Sequence, residues 1–333
     1  MAIRSRLMEG EFAVADIVRE AAALVLRTPP AEPPPLPDDR RRILTGQFRG
    51  WLWMDEVQPG LVGSASDMES VSDATIAQTI DRSVMVAVLL QGRTGSFRPE
   101  AGEELPAEQG RARVTGFGEA RRCVRRLHAG ERGVRTGITV SPCFLEQFAD
   151  VLPGRELDVL ERLLAPGFRS VGLRRCELLS GLSRGLVAMP YGGSLGRLYR
   201  ESAVTQILFR TLELLREEWP LVRALGRRQH DAVLRAQAVL DASLVSPPGT
   251  LDLARQVGLN RNTLQAGFRA VFGTTVFGYV RARRLAMARL LMEEQGLGAA
   301  EAGYRVGFAS PSAFSAAYRR HFGETPTARG VRH

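Results

Sequence analysis

Lysine is absent: all 45 side chains counted as Lys or Arg are arginine. Codon usage in a GC-rich genome accounts for the omission, yet it still removes whole classes of chemistry. A P-loop needs its lysine on the phosphates, and Schiff-base and pyridoxal enzymes need a lysine amine. Cysteine is nearly as scarce. Cys123, Cys143 and Cys176 are widely spaced and odd in number, so no disulfide framework is expected. Long apolar runs are missing too. The most apolar early stretch, Phe12 to Leu26, is interrupted by Asp16, Arg19 and Glu20, which suits neither a membrane span nor a signal peptide. A cytoplasmic protein without membrane contact is the expectation. Histidine occurs only four times. Cys123 and His128 stand near each other, but two ligands without partners do not make a metal site. Neither metal nor cofactor is expected.

What is present is ordinary in bulk: 44% hydrophobic and 24% charged residues over 333 positions, enough for two globular domains. The net charge of +9 is unevenly placed. Residues 226–333 carry 15 arginines against 7 Asp or Glu, whereas the first 225 residues carry 30 against 29. The excess sits on the last third, as a phosphate-binding surface requires.

That last third also repeats itself. LARQVGLNRNTLQAGFRAVFGTT (253–275) is echoed by AGYRVGFASPSAFSAAYRRHFGET (302–325). Val257-Gly258-Leu259 recurs as Val306-Gly307-Phe308. One residue out of step, Leu264, Phe268, Arg269, Phe272, Gly273 and Thr275 return as Phe314, Tyr318, Arg319, Phe322, Gly323 and Thr325, because Ala309 is inserted. Asn260 and Ser310 suit the N-cap of a helix, and Pro311 suits its first position. Each copy therefore reads as a short helix, a glycine turn and a capped second helix, the helix-turn-helix outline. A helical solenoid normally needs three copies, and only two are present.

In the first recognition helix, Leu264, Phe268 and Phe272 fall on a core face. Arg261, Gln265 and Arg269 line the opposite face, with Asn262 and the capping Asn260 beside them. Arg can make two hydrogen bonds to guanine, and Asn or Gln two to adenine. Base readout is expected from Arg261, Asn262 and Gln265, near the helix start, and backbone contact from Arg269. The second helix offers Ser310, Ser312 and Ser315, which are weak readers, then Arg319 and Arg320 to grip phosphate. Residues 275–291 join the two units; as a helix at ~1.5 Å per residue they span ~25 Å. With the units' own width added, one subunit reaches two major grooves ~34 Å apart.

Upstream, residues 11–27 read as an amphipathic helix and TPPAEPPPLPDD (28–39) as a linker, giving a first segment of residues 1–40. Across 41–192, β-branched runs at 83–90, 112–117 and 134–140 alternate with glycine-rich turns, as strands of a barrel or sandwich do. Helices are expected over 144–152 and 157–164, and a last strand over 186–191. Residues 193–225 connect to the all-α segment 226–333. Their helix, 195–219, carries Leu198, Val204, Ile207, Leu208, Leu212 and Leu215 on an apolar face and is closed by Pro220. It could pack on the β domain or against its twin in a homodimer. The fold class is thus α+β: a β-rich, cupin-like barrel domain followed by an all-α domain with two helix-turn-helix units.

L-A-x-x-V-G-L-N, F-R-x-x-F-G-T-T, Y-V-R-x-R-R-L-x-x-A-R-L-L, V-G-F-x-S-x-S-x-F and F-G-E-T-P together resemble the DNA-binding domain of the AraC/XylS family of transcriptional regulators. The match covers roughly Ala232 to Arg329. The resemblance implies a seven-helix domain with Tyr279 to Met292 in the connecting helix. It also implies a bacterial regulator, more often an activator, with double-stranded DNA and RNA polymerase as partners and an N-terminal domain that senses a small molecule or dimerises. GSLGRLYRESAVTQILFRTLELL (193–215) and GFRAVFGTTVFGYVRARRL (267–285) resemble the pyochelin-regulator (PchR-like) branch, which implies a ferric siderophore as effector. Two departures stand out. Ala299, Ala302 and Gly303 replace the family's usual Ile, Ile and Ala, so the second unit should pack more thinly. Ala266 replaces a frequent base-reading Arg, so the family's target sequence does not carry over.

RRCVRRLHAG (121–130) clusters Arg121, Arg122, Arg125 and Arg126. Strand alternation sends some of these inward, where they can bind an anion. The expected effector contacts are Arg122 and Arg126, with Trp51, Trp53 and Phe97 as apolar walls. A siderophore complex or another small anionic ligand fits that chemistry. Two rival classes remain. One is a constitutive or architectural DNA-binding protein without effector. The other is a serine hydrolase using Ser194, since Gly192-Gly193-Ser194-Leu195-Gly196 fits G-x-S-x-G. Its histidine would be His230, His321 or His333, all in or beside the DNA-binding segment. A non-enzymatic protein is the expectation.

Overall fold

The β-branched runs become strands of two open sheets in the computed structural model, which describes residues 5–12, 47–100, 102–105, 107–148 and 157–326. The strands are β1 (Ser5–Phe12), β2 (Phe48–Gln58), β3 (Leu61–Ser70), β4 (Ala74–Ile80) and β5 (Ser83–Gly92). They continue with β6 (Ser96–Pro99), β7 (Arg111–Phe117), β8 (Arg121–Leu127), β9 (Arg132–Val140) and β10 (Phe168–Gly172). The larger sheet runs β1-β2-β3-β9-β5-β7-β10 and the smaller β4-β8-β6. The strands expected at 83–90, 112–117 and 134–140 are β5, β7 and β9.

The barrel is not closed, which corrects the cupin-like expectation. The physical reason is that the larger sheet is apolar on both faces and so needs two separate covers. On one face Phe48, Leu52, Met54 and Met68 pack with Leu127, Ala74 and Ile76 of the smaller sheet. On the other face Trp53, Ala65, Val86 and Ile138 are buried, and helices cover them. After a short helix α1 (Pro142–Glu146), the covering helices are α2 (Asp158–Leu164), α3 (Glu177–Ala188) and α4 (Gly193–Leu225). Helix α2 lies on β5 and β7, and α3 on β3, β5 and β9. Stacked open sheets satisfy both faces without closure.

Five local expectations change. LVAMPY is not a strand: residues 186–188 complete α3, whose Leu179, Ser180, Ser183 and Leu186 are buried at helical spacing. The short polar side chains among them mask the helical pattern. The helix expected at 144–152 ends at Glu146, and its residues 149–152 lie outside the described residues. Of the helix expected at 11–27, Glu11 and Phe12 belong to β1. The remainder, with the proline-rich run 28–39, lies outside the described residues. Pro220 does not close α4, which continues to Leu225. A proline frees the carbonyl four residues earlier; here that residue is Arg216, which is exposed, so water can take the proline's place. Along α4, Val204, Ile207, Leu208 and Leu215 are buried as expected, whereas Leu198 is 63% exposed.

The chain divides into two units, Met1–Trp219 and Pro220–His333. The second holds α5 (Arg227–Ala242), α6 (Thr250–Gln256), α7 (Arg261–Phe272), α8 (Val276–Gln295), α9 (Ala299–Arg305) and α10 (Pro311–Phe322). Leu253, Ala254, Leu264, Phe268 and Tyr279 belong to one core, and Leu285, Ala302, Val306, Phe314 and Tyr318 to another. Gly258 and Gly307 make the two tight turns, at φ 73° and 90°.

The second copy keeps its packing by exchanging bulk. Where the first has Leu253 and Ala254, the second has Ala302 and Gly303; where the first has Leu259 and Leu264, the second has Phe308 and Phe314. The Phe314 ring lies directly on Gly303, and a Cβ there would come within 2.8 Å of Phe314 Cγ. Phe314 is fully buried and packs edge-on to Phe308 with ring centroids 5.3 Å apart. The gap expected from Ala302 and Gly303 is filled from the facing helix.

Candidate nucleic-acid interface

The two recognition helices α7 and α10 begin on side-chain caps. Asn260 Oδ1 accepts the Thr263 N–H at 2.8 Å, and Ser310 Oγ accepts the Ala313 N–H at 3.2 Å. Each helix ends on a left-handed glycine, Gly273 or Gly323. Between them α8 is an unbroken helix of 20 residues, which at ~1.5 Å per residue spans ~30 Å. It is three residues longer than the 275–291 stretch suggested. Thr275 caps it, accepting the Gly278 N–H through Oγ1 at 3.0 Å.

The expected contacts divide by what else their side chains do. Arg261, Asn262 and Arg269 are exposed on α7, and Arg319 and Arg320 on α10. Gln265 is half-buried, and its Oε1 accepts the Val276 N–H at 3.4 Å. That bond competes with two-point recognition of adenine, which needs the oxygen as well as the nitrogen. Asn260 spends its oxygen on its cap in the same way. Ser310 and Ser312 share a hydrogen bond at 3.1 Å, and Ser315 is half-buried.

The arginines of this unit sort by counter-charge. Arg255 pairs with Asp252, Arg283 with Asp241, Arg289 with Glu293 and Glu324, and Arg305 with Glu301. Among the described residues Arg261, Arg269, Arg319 and Arg320 form no ion pair, and neither does exposed Arg281 of α8. An exposed cation without a carboxylate partner is the one that gains most from a phosphate. Arg281 was not among the expected contacts, although it stands in the R-A-R-R-L run of the connecting helix.

Arg284 was missed for a different reason, because its role is not contact at all. From the middle of α8 its Nε donates to Leu244 O at 2.7 Å, Nη1 to Gly307 O at 2.9 Å and Nη2 to Val245 O at 3.0 Å. One planar fork thus ties the loop after α5 and the turn of the second unit to the connecting helix. Arg284→Met leaves three carbonyls without this donor and is expected to cost about 2–3 kcal/mol. Thermal melting of the full chain checks this, with Arg284→Lys recovering only part of the loss because an ammonium lacks the fork geometry. A buried chain reinforces the same joint: Gln237 Nε2 donates to Tyr279 Oη at 2.9 Å, and Tyr279 donates to Asp241 at 2.8 Å. Burial pushes the Tyr279 hydroxyl up to about 12.

The residues singled out upstream are not brought together. Arg122 is exposed and pairs with Glu100 at 3.6 Å, and Arg126 is exposed on the same outer side of β8. Trp53 is buried on the helix-covered face, where the Arg200 guanidinium lies 5.4 Å from its ring centroid. Trp51 shares that face by alternation along β2. Cys123 is buried, and burial pushes its thiol up to about 11, whereas His128 is exposed beside Asp73. Among the described residues no group of three His, Cys, Asp or Glu is placed to hold a metal ion. Ser194 is exposed in the first turn of α4 and follows a helix, not the strand that a nucleophile elbow requires.

Residues 49–225 match the family model described as the regulatory protein PchR N-terminal domain, more than half of the chain, and residues 253–329 match a helix-turn-helix domain model. The chain belongs to the AraC family, in its PchR branch. This AraC-family chain is 46% identical over 61 residues to the Regulatory protein PchR of Pseudomonas aeruginosa, 18% of this chain and 21% of that protein. It is 33% identical over 97 residues to the HTH-type transcriptional regulator GlxA of Rhizobium meliloti, 29% of this chain and 30% of that protein. The chain thus spans less than a third of the length of these two relatives. A solved transcriptional regulator with an AraC-type DNA-binding domain, from Chromobacterium violaceum, is 31% identical, covering 30% of this chain and 89% of that chain with a TM-score of 0.29. The matched models and relatives are those of regulators, not enzymes. No helix among the described residues is long and apolar enough to cross a membrane.

Proposed function

We propose that this AraC-family regulator binds double-stranded DNA sequence-specifically and responds to a small effector, acting as an activator through RNA polymerase. The observation that carries the reading is the set of exposed arginines without ion pairs on two capped recognition helices joined by one helix. Arg261 and Asn262 read bases, with Gln265 contributing through its amide nitrogen. Arg269, Arg281, Arg319 and Arg320 hold phosphate, and the serines of α10 add weak contacts.

The division of labour has a direct test in binding across single-base operator variants. Arg261→Ala and Asn262→Ala are each expected to relax preference at one base position, by about 1–3 kcal/mol. Arg319→Ala and Arg320→Ala should weaken all sequences alike and lower the salt slope by about 1 each. If Arg319→Ala is the more sequence-selective defect, the assignment is wrong. Footprints that stay identical with and without every candidate effector would favour the constitutive reading.

A further inference from the structure

Two arginines of the facing sheets lie near each other, and among the described residues no carboxylate pairs with either. On β8 the alternation turns Cys123, Arg125 and Leu127 inward and Arg122 and Arg126 outward. Arg125 stands opposite Ile76 of β4 and Phe97 of β6. Its guanidinium lies 5.8 Å from the Phe97 ring centroid, and its Nε is buried without a hydrogen-bond partner. Arg135 approaches from the larger sheet. It stands opposite Ser66 of β3, which stands opposite Leu52 of β2, so it shares the face that packs on the smaller sheet. Its Nε donates to Ser66 Oγ at 3.3 Å. Among the described residues neither arginine forms an ion pair.

Their surroundings are costly for charge. Burial draws the Arg125 guanidinium below its ordinary range, and burial with the nearby Arg125 charge pushes Arg135 down to about 9. Both nevertheless retain some accessible surface. Two dehydrated like charges destabilise a fold unless something of opposite sign joins them.

We propose that Arg125 and Arg135 together clamp the carboxylate of an effector whose apolar body lies against Phe97. The clamp rests on the reading of the β-rich unit as a sensor and gives that sensor a chemical class: a carboxylate on an apolar body. Guanidinium forks match a carboxylate in geometry and charge. The apolar neighbours disfavour a strongly hydrated ion such as inorganic phosphate.

Ligand binding is tested without DNA, and operator affinity is then measured with and without the carboxylate. Full-length wild type, Arg125→Met and Arg135→Met are melted and titrated calorimetrically with octanoate, benzoate and inorganic phosphate, with octanol and benzyl alcohol as uncharged controls. Wild type should bind at least one of the two carboxylates more tightly than its alcohol, and each substitution should weaken that binding about ten- to a hundredfold. Without ligand, Arg125→Met should melt about 2–4 °C higher than wild type, because it removes a buried unpaired charge. A structural arginine predicts the opposite sign. The clamp is overturned if neither carboxylate binds, if the alcohols bind equally, if phosphate binds best, or if Arg125→Met lowers the melting temperature. Carboxylate binding that depends on both arginines but leaves DNA affinity unchanged supports the clamp and counts against the sensor reading instead.

Discussion

Phe268→Ala is expected to abolish DNA binding without touching a DNA-facing group. Phe268 is fully buried in the larger core of the second unit, with Phe272 and Tyr279 rings 5.0 Å and 5.8 Å away. Deleting a buried phenyl ring costs about 3–5 kcal/mol, against a total stability of about 5–15 kcal/mol for a domain of this kind. The ring sits where α7 meets α8, so its loss loosens the recognition helix and its link to the connecting helix together. Fluorescence anisotropy with operator DNA, beside a circular-dichroism melt, should show affinity and melting temperature falling together. Normal melting with lost binding would place Phe268 in the interface and contradict its burial.

Phe314→Ala removes a ring of the same size with a different expected outcome. It belongs to the smaller core and supplies the bulk missing at Ala302 and Gly303. Ala302 and Gly303 beneath the ring carry too little side chain to refill the space, so a loss of about 3–5 kcal/mol falls on α9 and α10. Hydrogen exchange should rise over 299–322 while 250–272 keeps its protection. DNA affinity should drop for every operator variant, with the ranking among single-base variants preserved because Arg261 and Asn262 still read. A reversed ranking would show that the second unit supplies specificity.

Local jobs were readable in the chain and long-range ones were not. Asn260, Ser310, Gly273 and Gly323 act on their own helix ends, so their residue types announced caps and turns directly. The core positions Leu264 and Phe268 followed from helical spacing alone, and Phe314 from its match to Leu264 in the repeat. The strand phase of β8 could not be read that way. Its run of arginines alternates in either phase with equal sense, and only its pairing with β4 and β6 decides that Arg125 faces inward and Arg122 outward. Gln265 and Arg284 failed for a related reason. Their hydrogen bonds reach backbone groups 11 and 23–40 residues away, and no composition or spacing marks such partners. The open sheets escaped too, since a short strand looks the same whether its sheet closes or stops.

The Arg284 fork has a consequence for the operator. A connecting helix held at both sides has no joint with which to adjust its reach. On the proposed mode of binding, one base pair inserted between the two contact patches shifts them by ~3.4 Å and rotates them by ~34° around the duplex. Both patches can keep every favoured base and still be refused, because the protein cannot turn to follow. Spacing then carries as much of the recognition message as the bases themselves.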